Sequence, residues 1–305
     1  MRISSIQALC MLLLVFFLQS CDNEVIVPDN DAPNYSEIST ILIENYVNRT
    51  YIDLIGREPL DSEMVAEVTI LRNADLAFSA RREMAEKLQT DTSYVFGDSS
   101  YRRAYYHRLY NLAKARVIEG ASNAEINQEV GILANQVYQD SVNGDWPSYE
   151  KNKAELEKYL DILRCDFQYE QGLINIDTVF ARMVNNGIYD FINMNTFNFV
   201  NATYDNLLYR YPTSAEFDAA YNVVEYNQSD LIFGKSASNK DEYILALVAS
   251  REFYEGCIIW AYINLLQREP TSLELNKHMQ YFYTDKDFQR LQLDIIITDE
   301  YAGFD

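Results

Sequence analysis

The sequence predicts an all-α protein of repeated helical hairpins, packed as a curved array or an irregular bundle. Three observations predict it. An ungapped pattern, Tyr-x-x-Leu-(Ile/Leu)-x-Arg-x-Pro-x-x-x-Glu, occurs three times within the 305 residues. Apolar residues recur at helical spacing, while the period-two alternation of strands is nearly absent. A hydrophobic content of 48% with 24 Tyr gives too much apolar surface for a disordered chain and enough for a sizeable core.

Taken in chain order, the first element is an export signal over residues 1–20. Arg2 precedes an unbroken apolar run from Ala8 to Leu18. That run is too short to cross a bilayer, which takes about 20 helical residues. It fits a signal h-region of about 7–15 residues. Leu18-Gln19-Ser20-Cys21 follows and resembles the lipobox of bacterial lipoproteins, with Gln19 an unusual second residue. The resemblance implies that Cys21 is lipidated and becomes the mature N-terminus; ordinary signal cleavage is the alternative. Two or more acyl chains give stable anchoring where one does not. Residues 21–36 read as an extended tether, since Val25 to Asn34 holds two prolines and no helical period. Asp22, Asn23 and Glu24 resemble the surface-export signal of Bacteroidota lipoproteins, which implies the outer face of the outer membrane. No later stretch is apolar enough to span a membrane.

Residues 37–99 form helical repeat 1, with Tyr51, Leu54, Arg57, Pro59 and Glu63. Residues 196–256 form repeat 2, with Tyr204, Leu207, Arg210, Pro212 and Glu216. Residues 257–305 form repeat 3, with Tyr262, Leu265, Arg268, Pro270 and Glu274. Within each, Tyr, Leu and the next apolar residue share one helix face. Proline stops that helix. Thr213 with Glu216, and Thr271 with Glu274, are capping boxes that open the next one. Copy one has Leu60 at the cap position, so Asp61 is expected to cap there, one residue later. An apolar helix closes each copy and runs into the next, as at Leu245 to Tyr254 and Leu293 to Tyr301. Residues 100–195 read as a degenerate repeat with inserted helices. Tyr106, Leu109 and Tyr110 begin like the motif and Ser122 with Glu125 echoes the cap, but Arg and Pro are missing. Gly144 to Pro147 breaks this stretch before a long charged helix over Ser148 to Asp166.

The repeat resembles domains of unknown function in bacterial surface proteins and in planctomycete proteins. Their consensus is Tyr-x-x-Leu-Leu-Gly-Arg-x-Pro, followed later by Ser-x-Glu-Tyr. Leu54 to Pro59 is the nearest match, and the resemblance covers about half the chain in pieces. It implies no catalytic residues.

The residues themselves point to no reaction. His107 and His278 have no partner at metal-ligand spacing, and neither a nucleophile elbow nor a phosphate-binding glycine loop occurs. No catalytic residue, metal ligand or cofactor is therefore assigned, although 46 carboxylates contain many pairs that a hydrolase could use. A net charge of −21 repels phosphate backbones and argues against nucleic acid. Cys165 and Cys257 are expected as free thiols. The three motif arginines are expected to cap helix-end carbonyls or to pair with the motif Glu. The clusters Tyr101-Tyr105-Tyr106 and Tyr281-Phe282-Tyr283 hold more aromatics than one stripe can bury, and are the expected contact surface. Ser141 and Thr178 stand in Asp-(Ser/Thr)-Val triplets that resemble the Bacteroidota O-glycosylation motif.

The function expected from these features is a non-enzymatic binding or scaffold subunit of an outer-membrane assembly. Its partners would be the outer membrane, through the lipid, and an outer-membrane protein. A surface carbohydrate-binding lipoprotein is the alternative, and a carboxylate-based hydrolase the third.

Overall fold

A computed structural model describes residues 37–95 and 99–304. The segments expected as signal peptide and tether, with Cys21, lie outside the described residues. Ile38–Asp305 forms one compact unit. Among the described residues there are sixteen helices and one two-stranded hairpin, so the chain is all-α.

Repeat 1 consists of α1 (Thr40–Ile55), α2 (Asp61–Asn73) and α3 (Phe78–Thr90). The degenerate stretch contributes α4 (Tyr101–Val117), α5 (Asn123–Asn143), α6 (Trp146–Leu163), α7 (Cys165–Glu170), α8 (Ile176–Val184) and α9 (Gly187–Asn193). Repeat 2 is α10 (Thr196–Leu208), α11 (Ser214–Tyr226), strands β1 (Asp230–Ile232) and β2 (Lys235–Ala237), and α12 (Lys240–Val248). Repeat 3 is α13 (Arg251–Leu266), α14 (Ser272–Asp285) and α15 (Phe288–Ile296), followed by the single turn α16 (Asp299–Ala302).

Each unit thus has three helices, one more than the two-helix unit read from the sequence. The capped helix and the closing helix are separate, broken between Asn73 and Phe78, by the β-hairpin, and at Lys286 and Asp287. The boundary drawn at 256/257 falls inside α13, whose true start is the Ser250 cap, where the Ser hydroxyl accepts from Phe253 N–H at 3.1 Å. The β-hairpin was not foreseen. Its turn, Phe233-Gly234, has φ of 49° and 77°, the double positive that a two-residue hairpin loop with matching twist needs.

Two local expectations are corrected. Leu60, not Asp61, is the cap position of α2; Leu60 has no side-chain acceptor, so only the Glu63 half of the capping box forms, accepting Leu60 N–H at 2.7 Å. And the motif helices stop before the proline is reached. They end at Ile55, Leu208 and Leu266, each followed by a left-handed residue: Gly56 (φ 77°), Tyr209 (φ 56°) and Gln267 (φ 56°). The left-handed residue reverses the chain. Proline then holds the extended link ahead of the next cap.

The units pack in sequence and then close on themselves. α13 lies against α10, α15 against α3, and α16 against both α1 and α13. The Gln89 and Gln289 side chains donate to each other's backbone carbonyls at 3.2 and 3.3 Å, and Arg82 pairs with Asp294 at 2.9 Å. The result is a closed bundle of repeats around a common core.

Candidate interaction surface

The motif residues form one connected corner, repeated three times. Tyr51, Tyr204 and Tyr262 are buried, as are Leu54, Leu207 and Leu265. The guanidinium two residues before each proline lies over the motif Tyr ring, at 5.7, 5.1 and 5.3 Å from the centroid. Both Nη atoms then grip the motif carboxylate. Arg57 holds Glu63 at 2.7 and 2.9 Å, Arg210 holds Glu216 at 2.9 and 2.6 Å, and Arg268 holds Glu274 at 3.0 and 2.7 Å. One of those carboxylate oxygens also accepts the cap-position N–H of the next helix, at Leu60, Thr213 and Thr271. Pairing with Glu was expected. The carbonyl each Arg reaches is not a helix end, however, but that of the residue after it: Glu58, Tyr211 and Glu269.

A further partner comes from the following unit. Arg210 Nε donates to Glu252 at 2.7 Å, and Arg268 Nε to Glu300 at 2.6 Å. These glutamates stand two residues after the caps Ser250 and Thr298, so a (Ser/Thr)-x-Glu element links one unit to the next. In copy one Arg102 takes that position, and Tyr101 instead donates to Glu63 at 2.5 Å. Each arginine is thus engaged in contacts within its corner, and Arg210 and Arg268 also between units.

Single Arg210→Ala or Arg268→Ala changes should each cost about 1–2 kcal/mol, a bidentate charged pair discounted for partial exposure. Thermal unfolding checks this, and the double mutant should be non-additive because α13 joins the two corners. The same corners make the fold acid-sensitive. Hydrogen bonds from Arg210 and Arg268 hold the Glu216 and Glu274 carboxyls at about 2. For Glu63, burial pushes upward, but the bonds from Arg57, Tyr101 and Leu60 N–H outweigh it and hold the carboxyl at about 2. Because the folded values are depressed, this stability is present above the unfolded value near 4.5 and lost as pH falls toward 2. About 1 kcal/mol per corner should go in that window. Melting points that stay flat from pH 5 to 2.5 would contradict the assignment.

The remaining singled-out residues divide into buried and exposed sets. Cys165 and Cys257 are free and buried, and burial pushes both thiols up. His278 is buried, with Nε2 3.0 Å from Tyr262 Oη and Nδ1 2.9 Å from Tyr281 Oη; burial holds its pKa below the ordinary range. His107 is exposed and stands 3.2 Å from Asp166. Among the described residues no group of three or more His, Cys, Asp or Glu side chains is placed to hold a metal ion, and no helix is long and apolar enough to cross a membrane. Thr178 is half-buried and bonded to Asp177, itself tied to Lys286 and Tyr254, whereas Ser141 is exposed.

The expected aromatic surface is corrected in part: of its six rings Tyr283 is exposed and Tyr101 and Tyr281 are half-buried, but the other three offer no surface. Tyr105, Tyr106 and Phe282 are buried, because helices pack on both sides of α4 and α14 and leave no solvent face at these positions. Other exposed apolar residues gather on three features.

The first is an arm. α5 packs along α6 and buries a single residue, Ile126, over a length of about 30 Å. Gly144 (φ 73°) turns the chain, and Asp145 caps α6 through Ser148 N–H at 3.3 Å. Tyr138 and Val142, each 64% exposed, and Trp146, 59% exposed, surround that tip. The second is a groove of about 480 Å³ at the arm's base, between the α4–α5 turn and α9. The third is a ladder of rings across α10 and α11. Phe197, Phe217, Tyr221 and Tyr226 follow one another at centroid distances of 5.1, 5.7 and 5.9 Å. Ahead of the structure, the only sign of these surfaces was an apolar residue off the buried stripe, such as Tyr138 or Phe191.

No family model matches the chain, and comparisons with curated proteins and with solved structures found no match.

Proposed function

We propose that this chain is a lipid-anchored, non-enzymatic binding or scaffold subunit of an outer-membrane assembly, one serving secretion, outer-membrane protein insertion or nutrient uptake. The observation that carries this reading is the arm. A 21-residue helix that buries one residue contributes little to its own fold, yet displays Tyr138, Val142 and Trp146. Large exposed apolar side chains gathered at a tip are a usual mark of a contact site, and Trp and Tyr are the common anchors of such sites. The lipobox at Cys21 and the acidic residues after it supply the anchoring half of the proposal.

A photo-crosslinking residue placed at Tyr138 in cells should yield a discrete adduct with an outer-membrane protein. Cys21→Ser should move the chain out of the membrane fraction and abolish that adduct. If the arm gives no adduct, or the serine variant stays membrane-bound after a salt wash, the proposal fails.

A second reading, a carbohydrate-binding lipoprotein, is favoured by the ring ladder, since exposed aromatic faces stack on sugar rings. Phe217→Ala should then abolish glycan-array binding without a change in unfolding. The hydrolase reading has less support. In the groove, Glu125 is held in its capping box by Ser122 N–H at 2.7 Å, which keeps its carboxyl below the ordinary range. A glycosidase acid needs the reverse.

A further inference from the structure

We propose that the groove at the base of the arm docks a basic amphipathic helix of a partner protein. This deepens the reading above and rests on the chain being a binding subunit.

The groove is mostly polar and acidic at its rim, with isoleucine side chains in its floor. Ile118 closes it from the end of α4, and Ile188 and Ile192 line it from α9. Phe191 sits three residues after Ile188, on the same helical face, and is 85% exposed. Around this floor stand Glu119, Glu125 and Glu129, and no Lys or Arg lines the groove.

The charge balance sets this groove apart from its neighbours. The cavity beside the ring ladder has Asp190 neutralised by Lys240, and the cavity between α6 and α8 has Asp241 and Asp161 paired with Lys158 and Arg182. Among the described residues neither Glu119 nor Glu129 forms an ion pair. Their field adds to a chain charge of −21 and is unfavourable until a cation arrives. An anion is repelled, and a bare cation leaves the isoleucines and Phe191 wet. A helix with Leu-like residues on one face and Lys or Arg beside them satisfies both requirements, in the helix-in-groove mode of peptide recognition.

The test uses the mature chain and a labelled Lys/Leu amphipathic peptide of about 14 residues, four helical turns, read by fluorescence anisotropy. The wild-type chain should bind it, with affinity falling as salt rises. Glu119→Lys/Glu129→Lys should weaken binding about tenfold or more, and Phe191→Ser should weaken it severalfold, both without a change in unfolding. Glu44→Lys/Glu83→Lys makes the same change in net charge on repeat 1 and should leave binding nearly unchanged. A Glu/Leu peptide should not bind, and a Lys/Ser peptide should bind far more weakly. The proposal is overturned if both double variants weaken binding equally, if the Lys/Ser peptide binds as well, or if the wild type fails to bind. An adduct from Tyr138 in cells would in each case leave the broader reading standing, so the two failures are distinguishable.

Discussion

Gly256→Ala is expected to be the most damaging small substitution in the protein. α13 crosses α10 at this glycine, where the end of repeat 2's first helix meets the start of repeat 3. A Cβ at position 256 would stand 3.0 Å from the Leu207 carbonyl carbon and 3.3 Å from Leu208 Cα, and would overlap the Leu207 oxygen. The obstacle is backbone, so no side-chain rotation relieves it. Either the two helices move apart, opening the contacts around buried Cys257 and Trp260, or α10 loses its last turn. Overpacking of this kind costs about 3 kcal/mol or more, well beyond the fraction of a kcal/mol by which alanine usually improves a helix. Gly131→Ala on the arm is the control, because a Cβ there meets nothing within 4 Å. It should stabilise slightly, by about 0.5–1 kcal/mol. Equilibrium urea unfolding of both variants decides the matter. A Gly256→Ala protein within 0.5 kcal/mol of the wild type, roughly the error of such comparisons, would mean that the helices do not cross so closely.

That glycine marks the boundary of what could be read from sequence. The corners were legible because everything in them is local: Tyr, Arg, Pro and Glu lie within 13 residues and recur, so spacing alone reveals which groups meet. The (Ser/Thr)-x-Glu element that links one unit to the next was visible, in its Ser-x-Glu form, as part of a resemblance. Its reason was not, because Glu252 and Glu300 lie 42 and 32 residues from the arginines they hold. Gly256 did carry a faint signal, since glycine inside an apolar helix is costly and implies a close approach. Nothing in the local pattern names the partner, however. The same limit misjudged part of the expected aromatic surface. Counting aromatics at Tyr101 to Tyr106 assumed one buried face per helix, whereas α4 is covered by α1, α3, α7 and α8. The arm failed in the opposite direction. Its apolar positions pattern like a core helix, but among the described residues pairing with α6 leaves Tyr138 and Val142 exposed.

Closure of the bundle was wholly hidden in the sequence, and Arg81 is where it is expected to break. The side chain of Arg81 is fully buried in α3. Its Nε donates to Leu76 O at 2.8 Å, and its Nη1 to Ile297 O at 3.0 Å and Asp299 at 2.6 Å. The guanidinium also lies 4.9 Å from the ring centroids of Phe78 and Phe304. One cation therefore fastens α16 to the first repeat. Arg49 reinforces it by donating to Tyr301 O at 2.9 Å, and Tyr301 Oη donates to Asp53 at 2.8 Å. Arg81→Ala removes the buried cation, leaves two carbonyls and a carboxylate without it, and opens a cavity. Loss of one member of a buried pair costs about 3–5 kcal/mol, and partial hydration of Asp299 places the expected value near 3. The loss should be local before it is global: hydrogen exchange of α16 and of the facing part of α1 should quicken, while α11 stays protected. Arg81→Met combined with Asp299→Asn refills the volume and removes the orphaned charge, so it should recover much of the stability. If exchange in α16 is unchanged by Arg81→Ala, the last unit is held to the first by something other than this arginine.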